Sequence, residues 1–64
     1  MKKVLKKILV IEDELDIQEI TRSSLELIGG FSVDTANNGF EGVVKADKFS
    51  PDLILLDMFM PEIS

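Results

Sequence analysis

The chain has 64 residues, contains neither cysteine nor histidine, and carries a formal net charge of −5. A chain of this length forms one small domain at most and buries only about 60% of the surface that its unfolded form exposes. The composition excludes disulfide staples and Cys/His zinc sites. From residue 8 onward, three basic residues stand against twelve acidic ones, a net charge of −9. Because such a surface repels phosphates, direct DNA or RNA binding is not expected.

The lysine-rich beginning does not predict a signal peptide or a membrane span. The apolar run that follows it, residues 8–11, is four residues long and is ended by the acids at 12–14. This run is far shorter than a signal core or a spanning helix. We expect a soluble cytoplasmic protein with no membrane partner, and the lack of cysteine agrees with a reducing compartment.

The first half of the chain predicts a buried strand followed by an amphipathic helix. Residues 8–11 are continuously apolar and favour a central strand. Residues 15–28 show helical spacing, with Arg22 placed to pair with Glu19 or Glu26 on the polar side. The predicted apolar side of this helix is formed by Ile17, Ile20, Leu27 and Ile28.

The second half of the chain repeats the alternation of strand and helix. The Gly-Gly pair at 29–30 favours a left-handed helix end, and residues 31–36 alternate as a half-exposed strand. A turn at 37–39 opens a second helix that runs to about residue 48. Residues 53–56, with a proline on either side, then predict a strand buried on both faces.

This order of elements predicts an α/β fold. Strand, helix, strand, helix, strand implies right-handed βαβ crossovers, a parallel sheet, and one helix on each face. No internal repeat or low-complexity linker divides residues 1–64. The chain is therefore expected to form a single unit.

Carboxylates follow two of the predicted strands at the point where each strand ends. Glu12 and Asp13 follow the first strand and Asp57 follows the third. If these strands are neighbours, the three groups meet at the sheet edge where open α/β folds bind ligands. An all-oxygen cluster suits Mg²⁺ or Mn²⁺, and a carboxylate beside such a cation can attack phosphorus to form an aspartyl phosphate.

A purely structural role is the alternative for each of these acids. Asp57 alone is compatible with a residue that only caps a turn. Glu12 and Asp13 are compatible with acids that only satisfy the beginning of the first helix. The acidic pair after one strand, combined with an acid after another, favours a functional site.

Three pieces of the sequence together resemble the receiver domains of two-component response regulators, which have a flavodoxin-like fold. These pieces are 7–14 (KILVIEDE), 35–41 (TANNGFE) and 51–62 (PDLILLDMFMPE). The resemblance implies that Asp57 accepts a phosphoryl group from a histidine kinase in a phosphorelay. It also implies that Mg²⁺ or Mn²⁺ is held by Glu12, Asp13, Asp57 and the backbone carbonyl of Phe59.

The chain departs from this family in its length. Residues 1–64 span the first three strands and two helices of a domain that usually has five of each, in the strand order 2-1-3 of its first half. The parts without a counterpart include a hydroxyl residue and a lysine that contact the phosphoryl group. Gly42 also stands where the family more often has alanine.

This departure predicts association between copies of the chain. The third strand, central in the family, would have an unpaired edge, and such edges template association. We expect a homodimer through this edge, with a sheet of about six strands. The function is then either phosphoacceptance on Asp57 or, alternatively, non-enzymatic self-assembly with little phosphotransfer. A metal-dependent phosphatase built on the same acids is less favoured, since no additional base is available.

Overall fold

The computed structural model describes residues 4–56, and it contains a three-stranded parallel sheet with two helices. The strand order is β2-β1-β3, and both pairings of β1 are parallel. The α/β class, the parallel sheet and the order 2-1-3 are thereby confirmed. The elements are β1 (Lys7–Ile11), α1 (Leu15–Gly29), β2 (Ser32–Ala36), α2 (Gly39–Phe49) and β3 (Leu53–Leu56).

The core is built around β1, whose apolar run is buried as predicted. Leu9 and Ile11 form a cluster with Ala36 of β2, and Ala46 and Phe49 of α2 pack against it. Ile8 and Val10 alternate with these residues and are also buried. Since consecutive right-handed crossovers lead to opposite sides of β1, α1 lies over the other face.

The apolar side predicted for α1 is exposed and is not the side that faces the sheet. Ile17, Ile20, Leu27 and Ile28 are all exposed, Ile28 to 87%. Gln18 is buried instead, and Thr21 and Leu25 on the same side are half-buried. Among the described residues, α1 contacts both β1 and β2, and its most buried residues lie beside the apolar side and not within it.

The two ends of α1 follow the chemistry of their residues. Gly30 adopts a left-handed conformation with φ of 68°, and its N–H donates to the carbonyl of Glu26 at 3.1 Å. Glycine reaches this conformation without steric cost, so the predicted helix end is confirmed. On the exposed side Arg22 pairs with both Glu19 and Glu26, and these contacts, first the hydrogen bond to Glu19, raise the pKa of Arg22.

β3 is not buried on both faces, which corrects the first interpretation of its apolar sequence. Its four residues are 37 to 48% exposed. One edge pairs with β1, and no strand among residues 4–56 pairs with the other edge. The continuous apolar run predicted the strand correctly, but burial depends on neighbours that local sequence does not specify.

α2 begins with an asparagine cap and packs closely on the sheet. The side chain of Asn38 accepts the N–H of Glu41 at 2.8 Å, which satisfies one of the free donors of the first turn. Gly42 is buried, and a Cβ at this position would overlap with Cδ1 of Ile11. The absent side chain therefore allows α2 to approach β1. No described helix is long and apolar enough to cross a membrane.

The close contact at Gly42 predicts an energetic coupling with Ile11. Gly42→Ala should fail to give the gain of about 1 kcal/mol in the free energy of unfolding that alanine gives in an open helix, because the new methyl group meets Ile11. In an Ile11→Val background, which removes Cδ1, the gain should return. Urea unfolding of the four proteins measures the coupling, and an equal effect of Gly42→Ala in both backgrounds would contradict it.

Candidate functional site

The strand register brings the ends of the three strands to one edge of the sheet. The last paired residues are Ile11 with Ala36 on one side and Ile11 with Leu56 on the other. Glu12, Asn37 and Asp57 are the next residues along the chain. Asp57 and Phe59, two of the predicted ligands, lie outside the described residues.

Contacts at the opposite end of the sheet hold the register between β1 and β3. The carboxylate of Asp52 accepts the backbone N–H groups of Lys6 at 2.9 Å and Lys7 at 3.0 Å. The N–H of Asp52 donates to the carbonyl of Lys7 at 2.8 Å. The ammonium group of Lys7 binds the carbonyl of Phe49 at 3.1 Å and lies 5.3 Å from its ring centroid. These contacts fix the position of the beginning of β3 relative to β1.

Glu12 lies at the end of β1 and is buried, with 6% of its surface exposed. Its N–H donates to the carbonyl of Ala36 at 3.0 Å, which extends the sheet by one hydrogen bond. Oε2 of its carboxylate accepts the N–H of Glu14 at 3.0 Å, just before the first turn of α1. The structural role considered for Glu12 is thus real. It is compatible with metal binding because a carboxylate has about four lone-pair sites.

Asp13 differs from Glu12 in being exposed. Within residues 4–56 its carboxylate takes part in none of the side-chain hydrogen bonds, so only the position of its backbone is held by contacts of neighbouring residues. Helix α1 receives no side-chain cap from its N-cap residue, Glu14. Asp13 was alternatively expected only to accept free N–H groups at the beginning of α1. No such hydrogen bond is present in the described part of the chain.

Gln18 is a buried polar residue at this edge that the sequence interpretation missed. Its side-chain amide nitrogen donates to the carbonyl of Glu12 at 2.9 Å, to the carbonyl of Ala36 at 3.3 Å and to Oδ1 of Asn37 at 3.0 Å. These contacts tie α1 to the ends of both β1 and β2. A glutamine on a helix is usually expected to be exposed to solvent. Gln18 lies three and seven residues before Thr21 and Leu25, a spacing that places the three residues on one side of α1 and could have indicated its burial.

The residues present are chemically suited to Mg²⁺. Glu12 and Asp13 are oxygen donors, and the exposure of Asp13 leaves room for the water ligands that Mg²⁺ usually keeps. In the described range no three potential ligands cluster closely enough to enclose a metal by themselves. A complete site therefore requires oxygen atoms beyond the pair that follows β1.

The side chain of Lys45, on α2, contacts β2. Its ammonium group donates to the carbonyl of Thr35 at 2.6 Å and lies 3.7 Å from a carboxylate oxygen of Asp34. Both partners precede the end of β2. The ammonium group is therefore engaged on the α2 side of β2.

The pieces of sequence quoted above lie almost entirely within a region that matches a known protein family. The model of the response regulator receiver domain matches residues 8–64. The chain belongs to the response regulator receiver family. The match begins at the second residue of β1 and includes all later strands and helices and the acids that follow β1 and β3, so the resemblance seen in the sequence is confirmed.

Curated relatives of this receiver chain carry several different names. A probable C4-dicarboxylate response regulator DctR of Halalkalibacterium halodurans is 47% identical over 62 residues, covering 95% of this chain and 27% of that protein. The alkaline phosphatase synthesis transcriptional regulatory protein PhoP of Bacillus subtilis is 43% identical, with coverages of 91% and 24%. A protein-glutamate methylesterase/protein-glutamine glutaminase of Rhodospirillum rubrum is 39% identical, with coverages of 89% and 15%.

The chain spans about a quarter of the length of the first two relatives and less of the third. Their names denote different processes, so likeness within the receiver region does not select one output. No solved structure gave a significant match.

The different surroundings of Glu12 and Asp13 predict different effects on stability. Glu12→Ala should lower the free energy of unfolding by about 1–2 kcal/mol, because it removes the acceptor of the Glu14 N–H and a buried side chain. Asp13→Ala should change it by less than about 0.5 kcal/mol, as expected for an exposed position. Urea unfolding without divalent metal measures both values.

Glu12→Gln is the matched control, since it removes the same charge but keeps an oxygen that accepts the Glu14 N–H. Its loss should be clearly smaller than that of Glu12→Ala. Equal losses for Glu12→Ala and Asp13→Ala would contradict the assignment of the buried hydrogen bond to Glu12 alone.

Proposed function

We propose that this chain is the phosphoacceptor part of a two-component phosphorelay and that Asp57 accepts the phosphoryl group. Membership in the receiver family supports the role. The observation that carries the proposal is the parallel register in which β1 and β3 end together, at Ile11 and Leu56. The acids at 12 and 13 and the acid at 57 follow these two residues directly.

The proposed reaction is an in-line displacement at phosphorus. An oxygen of the Asp57 carboxylate forms the new P–O bond while the P–N bond to a histidine of the kinase breaks, and that nitrogen then takes up a proton. The product is an aspartyl phosphate, with no net oxidation or reduction. In this role the domain is a phosphoacceptor and not an enzyme that turns over a separate substrate.

The acidic residues would hold the divalent cation on which the reaction depends. Glu12, Asp13, Asp57 and the carbonyl of Phe59 are the proposed ligands of Mg²⁺ or Mn²⁺. When bound, the cation neutralises the phosphoryl oxygens during transfer. Glu12 and Asp13 otherwise repel an incoming phosphoryl group, since two unit charges about 4 Å apart interact by about 4 kcal/mol at an effective dielectric constant of 20.

Phosphorylation by a small donor tests the proposed role without the kinase. Incubation with Mg²⁺ and acetyl phosphate should add one phosphoryl group to the intact mass of the protein. Asp57→Asn should abolish the adduct, because the amide cannot act as the nucleophile. Asp47→Asn, which changes an exposed acid of α2, should leave it unchanged.

An adduct that persists in Asp57→Asn would assign the phosphoryl group to another residue. Absence of any adduct in the folded wild-type protein at saturating Mg²⁺ would contradict phosphoacceptance by this chain. It would leave self-assembly as the remaining candidate function.

A second candidate function, assembly through β3, is favoured by one specific observation. All four β3 residues are partly exposed, and the β3 edge remote from β1 has no partner within residues 4–56. A second copy of the chain offers an edge of the same kind, so two edges can pair across a two-fold axis. This dimer would join two three-stranded sheets into one of six strands.

Dilution tests this assembly. If β3 edges pair between copies, the midpoint of thermal unfolding should fall as protein concentration is lowered, and light scattering should give a dimer mass. Ile54→Lys should weaken association, because a charged lysine on an edge strand opposes pairing. Ile28→Lys on the exposed side of α1 is the matched control and should leave association unchanged. A folded monomer whose unfolding does not depend on concentration would contradict the proposal.

A further inference from the structure

Gln18 holds the segment that carries the acidic pair in one conformation. It is buried, yet its side-chain amide meets three oxygen atoms, those of Glu12, Ala36 and Asn37. The amide has two hydrogens, so one of them is shared between two acceptors. Both hydrogens of the Gln18 amide are therefore engaged in hydrogen bonds.

The contact with the Glu12 carbonyl has a direct consequence for Asp13. The peptide unit between Glu12 and Asp13 is planar, so the direction of the Glu12 carbonyl also sets the position of the Asp13 nitrogen and Cα. On its other side Glu12 is held through its N–H, which donates to Ala36 at 3.0 Å. Both ends of the residue that precedes Asp13 are thereby fixed.

Asp13 depends on this support more than Glu12 does. The Glu12 carboxylate has its own anchor in the N–H of Glu14. The Asp13 carboxylate is exposed and takes part in none of the side-chain hydrogen bonds of the described range. The position of its Cβ follows from the backbone, and the backbone before it is held by the amide of Gln18.

We infer that Gln18 is a positioning residue for the divalent cation, acting through the backbone carbonyl of Glu12 to place the carboxylate of Asp13. The inference rests on the proposed function, in which Asp13 is a metal ligand. Gln18 itself does not contact the metal. Outer-shell hydrogen bonds of this kind orient ligands, and their loss typically weakens metal binding about 10–100-fold.

The same amide reaches the loop between β2 and α2. Asn37, the third acceptor, directly precedes the N-cap of α2, Asn38. A change in the direction of the Glu12 carbonyl is thereby linked to the beginning of α2. Gln18 thus joins the ends of β1 and β2 to both helices.

Titration of the full chain with Mg²⁺ alone tests the inference. Isothermal titration calorimetry gives the dissociation constant for the wild-type protein and for Gln18→Met, which keeps the approximate shape of the side chain but removes both donors. The expected result is at least a tenfold weaker affinity for Gln18→Met. Leu25→Ala, a half-buried position on the same side of α1, is the control and should lower the urea midpoint without changing the Mg²⁺ affinity.

The outcomes separate this inference from the proposed function. No Mg²⁺ binding by the folded wild-type protein would overturn the proposed metal site. Normal binding by the wild-type protein and equal binding by Gln18→Met would overturn the positioning role alone. Equal weakening in Gln18→Met and Leu25→Ala would also overturn it, because the effect would then follow stability.

A measurement on the wild-type protein covers the case in which Gln18→Met does not fold. In ¹⁵N correlation spectra, Mg²⁺ should shift the side-chain amide signal of Gln18 and the backbone amide signal of Asp13 with one common midpoint. A Gln18 amide signal that stays constant while the Asp13 signal moves would contradict the coupling.

Discussion

The register between β1 and β3 is the constraint on which the rest of the structure depends. It is held at one end of the sheet by Asp52, whose carboxylate and N–H bind the backbone of Lys6 and Lys7. At the other end it places Ile11 beside Leu56. A slip by one residue would turn the side chains of β3 to the opposite face and displace the residues after it from those after β1.

The two ends of the sheet therefore have separate tasks. The end at Asp52 and Lys7 is closed by hydrogen bonds and by the contact of Lys7 with the Phe49 ring. The end at Glu12 and Asp13 carries a concentration of negative charge, and its backbone is held by the hydrogen bond from the Gln18 amide to the Glu12 carbonyl. Such charge is tolerated where solvent or a cation compensates it. The fold thus supplies a rigid support for a site that is electrostatically unfavourable on its own.

Much of the fold could be predicted from local sequence, but the burial of its surfaces could not. The apolar run at 8–11, the glycine pair at 29–30 and the turn at 37–39 mark elements whose bounds the structure moves by only a residue or so. The exposure of β3 and of the apolar side of α1 was harder to predict, because it depends on which elements pack beside them. The positions of Glu12 and Asp13 at a strand end followed from the pattern. The role of Gln18 did not, since two of its three partners, the carbonyl of Ala36 and Oδ1 of Asn37, lie 18 and 19 residues away in sequence.

In the proposed site, the acids following β1 and the acid following β3 share one divalent cation. Paramagnetic broadening by substoichiometric Mn²⁺ in ¹⁵N correlation spectra tests it most directly, because broadening falls steeply with distance from the ion. We expect the amide signals of Asp13 and Asp57 to broaden together at the lowest Mn²⁺ concentrations, while those of Gly30 and Asp52 at the other end of the sheet persist. Broadening at Asp13 without Asp57, or equal broadening beside the exposed acids Glu19 and Asp47, would contradict it.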